Sequence, residues 1–244
     1  MTEKLGALGL SFTFLDAVDG RGFDVSKQPI YNGRQRRLFF GRDLLGGEIG
    51  VLLSHRAALQ RLVDESAPHA LILEDDVVFA EAFTGVVREL MRHPAHWDLV
   101  RFFGDEKHAR RTQRPILPLG GGYWMTRLAT SPGEAHSYLI SQAGARKLLR
   151  RLWRTSTPID TMMGQPWKTG LAVFSVLPGV AWQDRQLGTS ISGVRFDKAV
   201  TTKGLERLAL PVAKPLLKIT ENVLKRLYYW SAWPGDLVRR ILGG

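Results

Sequence analysis

Four apolar residues, Ala70 to Leu73, run directly into three carboxylates, Glu74, Asp75 and Asp76. A short apolar run of this kind after Pro68 reads as a buried strand. A strand that ends in acids delivers them to the rim of an α/β sheet, where ligands bind. Adjacent carboxylates repel one another unless a cation or hydrogen bonds compensate. Along extended backbone Glu74 and Asp76 project to the same side. That pairing suits a hard divalent ion that keeps sites free for substrate phosphates. Asp75 and Asp76 would equally cap a helix beginning at Phe79. Spacing alone leaves both readings open.

The remaining pattern alternates strands and helices. Strands are expected over 11–18, 70–73, 97–103, 136–140 and 171–177, and helices over 49–63, 79–91 and 142–153, with the end of a short helix before Gly9. Residues 20–47 and 104–118 read as loops. Such alternation predicts an α/β fold with a mostly parallel sheet flanked by helices, and 244 residues suffice for one such domain with an appendage. With no cysteine there is no disulfide framework, thiolate zinc site or cysteine nucleophile, which fits a reducing cytoplasm. MTEKLGALGL has no apolar signal core, and no stretch approaches the ~18 apolar residues of a spanning helix.

Charge narrows the partners. The net charge of +11 favours nucleic acid, anionic lipid or phosphorylated small molecules. Residues 201–244 hold eight Lys/Arg against Glu206, Glu221 and Asp236, an excess of +5. Leu205, Leu216, Val223, Trp230 and Trp233 alternate with these cations, and Pro211, Pro215 and Pro234 divide the segment into expected short helices. Two domains follow, 1–200 and a basic amphipathic tail, 201–244, suited to a membrane surface. The alternative is a helix packed on the main domain. No nucleic-acid motif accompanies the charge, so nucleic acid is not expected as a partner.

Several blocks then resemble glycosyltransferase family 25, which includes bacterial lipooligosaccharide and collagen galactosyltransferases. They are FLDAVDGR (14–21), GGEIGVLLSHRAAL (46–59), LILEDDVVF (71–79), HSYLISQAGARKLL (136–149), TPIDTMM (157–163) and LPGVAWQDRQLGTSI (177–191), in order across about residues 10–195. The resemblance implies a GT-A-like fold and transfer of a sugar, usually galactose, from a UDP-sugar donor with inversion, dependent on Mn²⁺ or Mg²⁺. It implies a glycan or glycolipid acceptor in lipooligosaccharide or other surface glycan synthesis, and a cytoplasmic location at the inner face of the cytoplasmic membrane. It also implies a first strand bearing an arginine before the Ala-Val-Asp-Gly block. By the same resemblance that strand is expected to be absent here, the chain reading as if it opened within the helix that follows it. The alternative function is a non-catalytic or N-terminally truncated relative acting as a binding or scaffold protein.

By this resemblance Glu74, Asp75 and Asp76 form the DxD-like motif, with Asp76 as the foremost metal ligand and Asp184 as a late contact to metal or diphosphate. Asp19 and Gly20 fall near the nucleotide, although Asp-Gly is also an ordinary turn. Glu48, Ser54 and His55 are candidates for donor or acceptor contacts; the alternatives are a helix-dipole partner for Glu48 and a satisfied core histidine for His55. Inverting transfer needs a carboxylate to take the acceptor's proton. Asp160, in the Pro-x-Asp element, is that candidate and Glu134 the reserve; Asp160 would otherwise cap the segment after it. Gly120-Gly121-Gly122 beside Tyr123 and Trp124 suits an acceptor platform or core packing. Arg110, Arg111 and Arg114 suit a solvated face or an anionic lipid.

Overall fold

The computed structural model describes residues 2–103, 112–131, 133–184, 202 and 204–242. Arg110 and Arg111 lie outside the described residues, as does the part of the 177–191 block beyond Asp184.

Helix α1 (Thr2–Ala7) and α2 (Gly33–Phe40) precede the long α3 (Gly46–Asp64). Strands β1 (His69–Leu73) and β2 (Val77–Phe79) lead to α4 (Phe83–Arg92) and β3 (Leu99–Arg101). A hairpin, β4 (Gln113–Pro118) and β5 (Trp124–Leu128), is followed by β6 (Ser137–Ser141) and α5 (Gln142–Arg151). Two short helices, α6 (Ile159–Met163) and α7 (Pro166–Thr169), precede β7 (Val173–Leu177) and β8 (Ala181–Gln183). The C-terminal pair is α8 (Gly204–Ser231) and α9 (Trp233–Leu242).

Six strands form one sheet in the order β1-β6-β3-β7-β5-β4, and β2 pairs with β8 in a separate ladder. Only β3 and β7 run parallel; the other neighbours in the six-stranded sheet are antiparallel. The expected mostly parallel sheet is therefore wrong. Alternation of strands and helices says that chain segments recross the molecule, but not which neighbour each strand finds. Here β6 enters antiparallel between β1 and β3, so a strand distant in sequence separates them.

Period-two patterning covers both faces of this sheet. Leu99, Tyr138, Ile140 and Val173 join α3 and α5 residues in one apolar cluster. Val100, Leu139 and Phe174 face the opposite cluster with Phe83, Val86 and Leu90 of α4. Strand β1, at the sheet's edge, is only half-buried along its length, not the fully buried strand expected.

Other expectations change as well. Residues 11–18 form no strand, and Phe14 stays exposed. The supposed loop 20–47 contains α2, started by Asn32, whose side chain accepts from the Gln35 amide. The helix expected at 79–91 begins at Phe83, four residues later, because β2 takes Val77–Phe79 into its pairing with β8. The hairpin occupies part of the expected loop 104–118. Its turn uses Gly120, Gly121 and Gly122, all at positive φ, which accounts for the glycine run through backbone geometry.

The C-terminal segment is not a set of short helices broken at each proline. Helix α8 passes through Pro211 and Pro215 without interruption. Both prolines are exposed and lie one turn apart, so water reaches the carbonyls they leave unbonded. Contacts to the rest of the protein offset the cost. Arg37 of α2 pairs with Glu206 at 2.7 Å, Trp167 Nε1 donates to Glu221 at 3.0 Å, and Lys168 also pairs with Glu221. Asp236 of α9 is buried between Arg114 and Arg127, at 2.6 and 2.7 Å. Arg114 is thus a β4 residue holding the C-terminal helices, not part of a solvated loop.

Candidate active site

The turn between β1 and β2 presents the three carboxylates. Helix α4 begins later, with Ala82 at its N-cap position, so none of the three caps a helix. Asp75 points into solvent, whereas Glu74 and Asp76 are partly covered. The Glu74 amide donates to the His136 carbonyl at 2.8 Å and the Asp184 amide to the Asp76 carbonyl at 2.7 Å. Two backbone bonds thus fix the turn between β6 and β8.

His55 reaches this turn from α3. Its helix is held by an apolar stripe, Ile49, Leu52, Leu59 and Leu62, and His55 falls within that stripe where Cβ directions bring a side chain onto the sheet. Its Nε2 lies 3.3 Å from Glu74 Oε1 and its Nδ1 2.9 Å from the Tyr138 hydroxyl. An ionised carboxylate only accepts, so Nε2 carries a proton and donates to Glu74. The contact of Nδ1 with the Tyr138 hydroxyl closes the chain of groups on the ring's other side. Burial pushes the Tyr138 hydroxyl well up, and Glu74 adds to the effect, so it keeps its proton. Burial also works to raise Glu74, but the hydrogen bond and charge of His55, with help from His136 and Gln183, hold it below the ordinary range.

Gln183 of β8 bridges the acids. Its amide Nε2 donates to Glu74 Oε2 and Asp76 Oδ2, both at 3.3 Å. Asp76 Oδ1 is buried and has no hydrogen-bond partner among the described residues. Burial raises the Asp76 carboxyl, and the negative charges of Glu74 and Asp75 raise it further. This is a carboxylate short of positive charge.

A second group of charges adjoins the first. Arg101 of β3 is fully buried, donating to Ser131 Oγ at 2.7 Å and to the Glu134 carbonyl. Burial lowers its guanidinium to about 10, while Asp160, Glu134 and Tyr138 favour its charge. Asp160 Oδ1 accepts from the Thr161 amide at 2.6 Å, and its Oδ2 lies beside Gly133. His136 links the groups: its Nδ1 is 3.7 Å from Glu134 Oε2, its charge is coupled to Glu74 and Arg101, and burial lowers it toward the neutral form. No side chain among the described residues hydrogen-bonds its ring, and the Ala181 backbone works to favour its charged form.

The other candidates lie around the N-terminal end of α3. Glu48 is buried and accepts from the Leu45 amide at 2.9 Å, and it shares with Asp160 the field of buried Arg36. Ser54 Oγ accepts from the Val18 amide at 2.8 Å and donates to the Gly50 carbonyl at 2.9 Å. Gly20 presses on the backbone of Gly46, where a side chain would collide with the Gly46 carbonyl. Ser54 and Gly20 thus tie the Asp19 segment across the start of α3. Asp19 itself is exposed; hydrogen bonds from Arg21 lower its carboxyl to about 2.

Sequence reading missed Arg101, His136, Tyr138 and Gln183 as members of this cluster. A lone arginine in the apolar run WDLVRFF was the available signal for Arg101. The alternation of His136 and Tyr138 in HSYLIS was the other. Gln183 carried no local signal, because the β2–β8 register brings it to Asp76.

The residues fit a cation that takes one or two protein carboxylates and completes its shell elsewhere. Asp76 offers the buried unpartnered oxygen, and Glu74 the neighbouring one. Among the described residues no group of three or more His, Asp or Glu side chains could hold a metal by itself.

Fold and site together define a mixed α/β protein with a cluster of carboxylates, Glu74 among them linked to a buried imidazole, at the end of an edge strand. The sequence profile described as glycosyltransferase family 25 (LPS biosynthesis protein) matches residues 1–163. The chain belongs to glycosyltransferase family 25. It is 28% identical over 218 residues to a bovine (Bos taurus) protein named probable inactive glycosyltransferase 25 family member 3, covering 78% of this chain and 35% of that one. A glycosyltransferase 25 family member of Anopheles gambiae is 30% identical over 62% of this chain and 26% of its own length. Procollagen galactosyltransferase 1 of Danio rerio is 26% identical, again over 62% of this chain and 26% of its own. The chain therefore spans about a third or less of the length of these relatives.

Proposed function

We propose that this chain transfers a sugar, galactose foremost, from a UDP-sugar to a glycan acceptor with inversion at the anomeric carbon. The observation that carries the reading is Asp76, a carboxylate with one buried oxygen unpartnered and two acidic neighbours. A site with this deficit of positive charge favours a divalent cation that also takes diphosphate oxygens. Asp76 and Glu74 would hold Mn²⁺ or Mg²⁺, with Asp184 and Asp75 beside them. When bound, the cation neutralises the charge that develops on the departing diphosphate.

The remaining residues position and exchange protons. His55, locked between Tyr138 and Glu74, keeps Glu74 ionised and fixed in direction. Gln183 keeps both acids facing the same space. The segment of Asp19 and Gly20, with Ser54 and Glu48 beneath it, borders the nucleotide. Asp160 takes the proton from the acceptor hydroxyl as that oxygen attacks the anomeric carbon, while the bond to the diphosphate breaks on the opposite side. Glu134 is the alternative base. Arg101 sets the electrostatic background for both acids.

A second reading, a binding or scaffold protein that transfers nothing, is favoured by one observation. Bovine and human relatives carry the word inactive in their names.

The experiment is transfer and donor hydrolysis with a panel of UDP-sugars, with Mn²⁺ or Mg²⁺, alongside calorimetric binding of UDP. Wild type should turn over one donor, and Asp76→Asn should lose at least about a hundredfold in rate. Asp160→Asn should lose about 10²–10⁴ in kcat with donor affinity kept. UDP binding without turnover of any donor would favour the scaffold reading. Turnover unaffected by Asp76→Asn would reject the assigned metal site.

A further inference from the structure

Helix α8 has two apolar sides, and only one is used. Leu210, Leu217 and Tyr228 turn toward the protein, with Tyr228 donating to the Leu171 carbonyl at 3.0 Å. On the other side, Leu205, Val212, Leu216, Val223, Leu227 and Trp230 line one stripe along the helix, each between 49% and 83% exposed. Helix α9 continues the pattern, with Trp233, Leu237 and Ile241 exposed while Asp236 is buried.

Charge is sorted with the same polarity. All three acids of 201–244 are spent on the body of the protein: Glu206 on Arg37, Glu221 on Lys168, and Asp236 on Arg114 and Arg127. Arg207, Lys214, Lys218, Arg226 and Arg240 remain exposed. The side chains that do not pack on the body are therefore apolar residues and cations without an unpaired carboxylate, with Arg226 bordering the stripe and Arg207, Lys214 and Lys218 on the polar side of α8.

From this sorting we infer that α8 and α9 dock lengthwise on an anionic lipid surface, the apolar stripe entering the acyl boundary and the cations meeting headgroup phosphates. No described helix is long and apolar enough to cross a membrane, so the contact is a peripheral one. A second copy of the chain fits less well. One seven-residue row of the stripe, Leu216, Val223 and Trp230, is apolar throughout, but the row that would complete a seam beside it, Leu205, Val212 and Ile219, continues at Arg226. In a helix–helix seam that position would bury a guanidinium. At a lipid surface its stem lies along the apolar face and its head reaches the phosphates. Two such faces would also bring like charges together. The inference is independent of the transfer reading, since it uses only the outward side of the C-terminal helices.

The test is co-sedimentation of the full chain with phosphatidylcholine vesicles, with and without phosphatidylglycerol, beside light-scattering measurement of its mass. Wild type should pellet with the anionic vesicles and remain in solution with the neutral ones. The double variant Leu216→Glu/Val223→Glu should reduce that binding by at least about tenfold. Arg207→Gln and Lys218→Gln should each reduce it about fivefold, an effect that salt mimics. Circular dichroism checks that the variants keep their helices. Quenching of wild-type tryptophan emission by brominated lipid, diminished in Trp230→Phe, reads the same contact without disturbing the stripe. Failure to bind anionic vesicles, or binding unchanged by the double variant, would overturn the inference. So would a concentration-dependent dimer that the double variant dissociates and that does not bind vesicles.

Discussion

Asp76, partly covered with one oxygen buried, and Asp236, fully buried, are both carboxylates with restricted access to water, and their surroundings could hardly differ more. Asp236, whose side chain is fully buried, receives Arg127 on both oxygens at 2.7 and 2.8 Å and Arg114 at 2.6 Å. Tyr228 accepts from Arg127 at 3.0 Å and closes the group. Asp76 receives one amide, Gln183, and its nearest charges are two more acids. Burial alone does not separate structure from function. Charge balance does: the Asp236 site is complete within the chain, whereas Asp76 has no cationic partner among the described residues, which is the ground of the metal reading proposed above.

Removing the partner tests the first half of that contrast, with the largest effect expected anywhere in the molecule. Asp236→Ala leaves Arg127 buried without a counter-charge and should cost about 3–5 kcal/mol in urea unfolding. Because the same carboxylate anchors α9, the loss should be accompanied by faster proteolysis near Trp233. Replacing the pair together, as Arg127→Met/Asp236→Leu, should recover only part of the cost, since the fully buried Arg127 is no longer orphaned while Arg114 still loses its carboxylate. Equal damage in the single and double variants would show that packing, not charge pairing, holds the helix.

The contrast also explains what could be read in advance. An apolar run ending in Glu74-Asp75-Asp76 announced a strand delivering acids, and the apolar spacing from Ile49 to Leu62 announced the helix that carries His55. Both signals are local, and both elements formed. Sheet order was not legible, because β6 reaches β1 only through pairing between residues such as Leu73 and Ser137. That pairing alone brings Tyr138 and His136 to the acids. Arg101 and Gln183 entered the cluster in the same way, through the registers of β3 with β6 and β2 with β8. Pro211 and Pro215 misled for the opposite reason. Their local preference is real, but docking of α8 through Glu206, Glu221 and Tyr228 overrides it.

Between the two extremes sits Tyr138, a neutral group that orients rather than balances. Tyr138→Phe removes the hydrogen bond to His55 Nδ1 and nothing else in volume. The expected cost is about 1 kcal/mol in urea unfolding. Under the proposed chemistry transfer also slows, as the imidazole loses one of its two anchors. A stability loss with unchanged transfer would make the Tyr138–His55 contact a feature of the core alone and move the functional cluster toward Asp76.

The smallest effects are decided by sign, and they divide the carboxylates within the site. Glu74 is held below its ordinary value of 4.5, so its ionised form stabilises the fold. That contribution is present above the unfolded value and is lost as pH falls through the folded one. Asp76 is held above its ordinary 3.8, by burial first and by Glu74 and Asp75 next. Its ionised form therefore opposes folding at neutral pH, and protonation relieves the opposition as pH falls. In metal-free buffer Glu74→Gln should be less stable than wild type at pH 7, with the gap closing on acidification. Asp76→Asn should be more stable at pH 7, and its gap should close over the same fall. Adding Mn²⁺ should stabilise wild type and leave Asp76→Asn unmoved, because only the wild type retains the carboxylate that lacks a counter-charge. If both variants shift with the same sign, the two acids share one environment, and the division of labour between an anchored Glu74 and a ligand-seeking Asp76 fails.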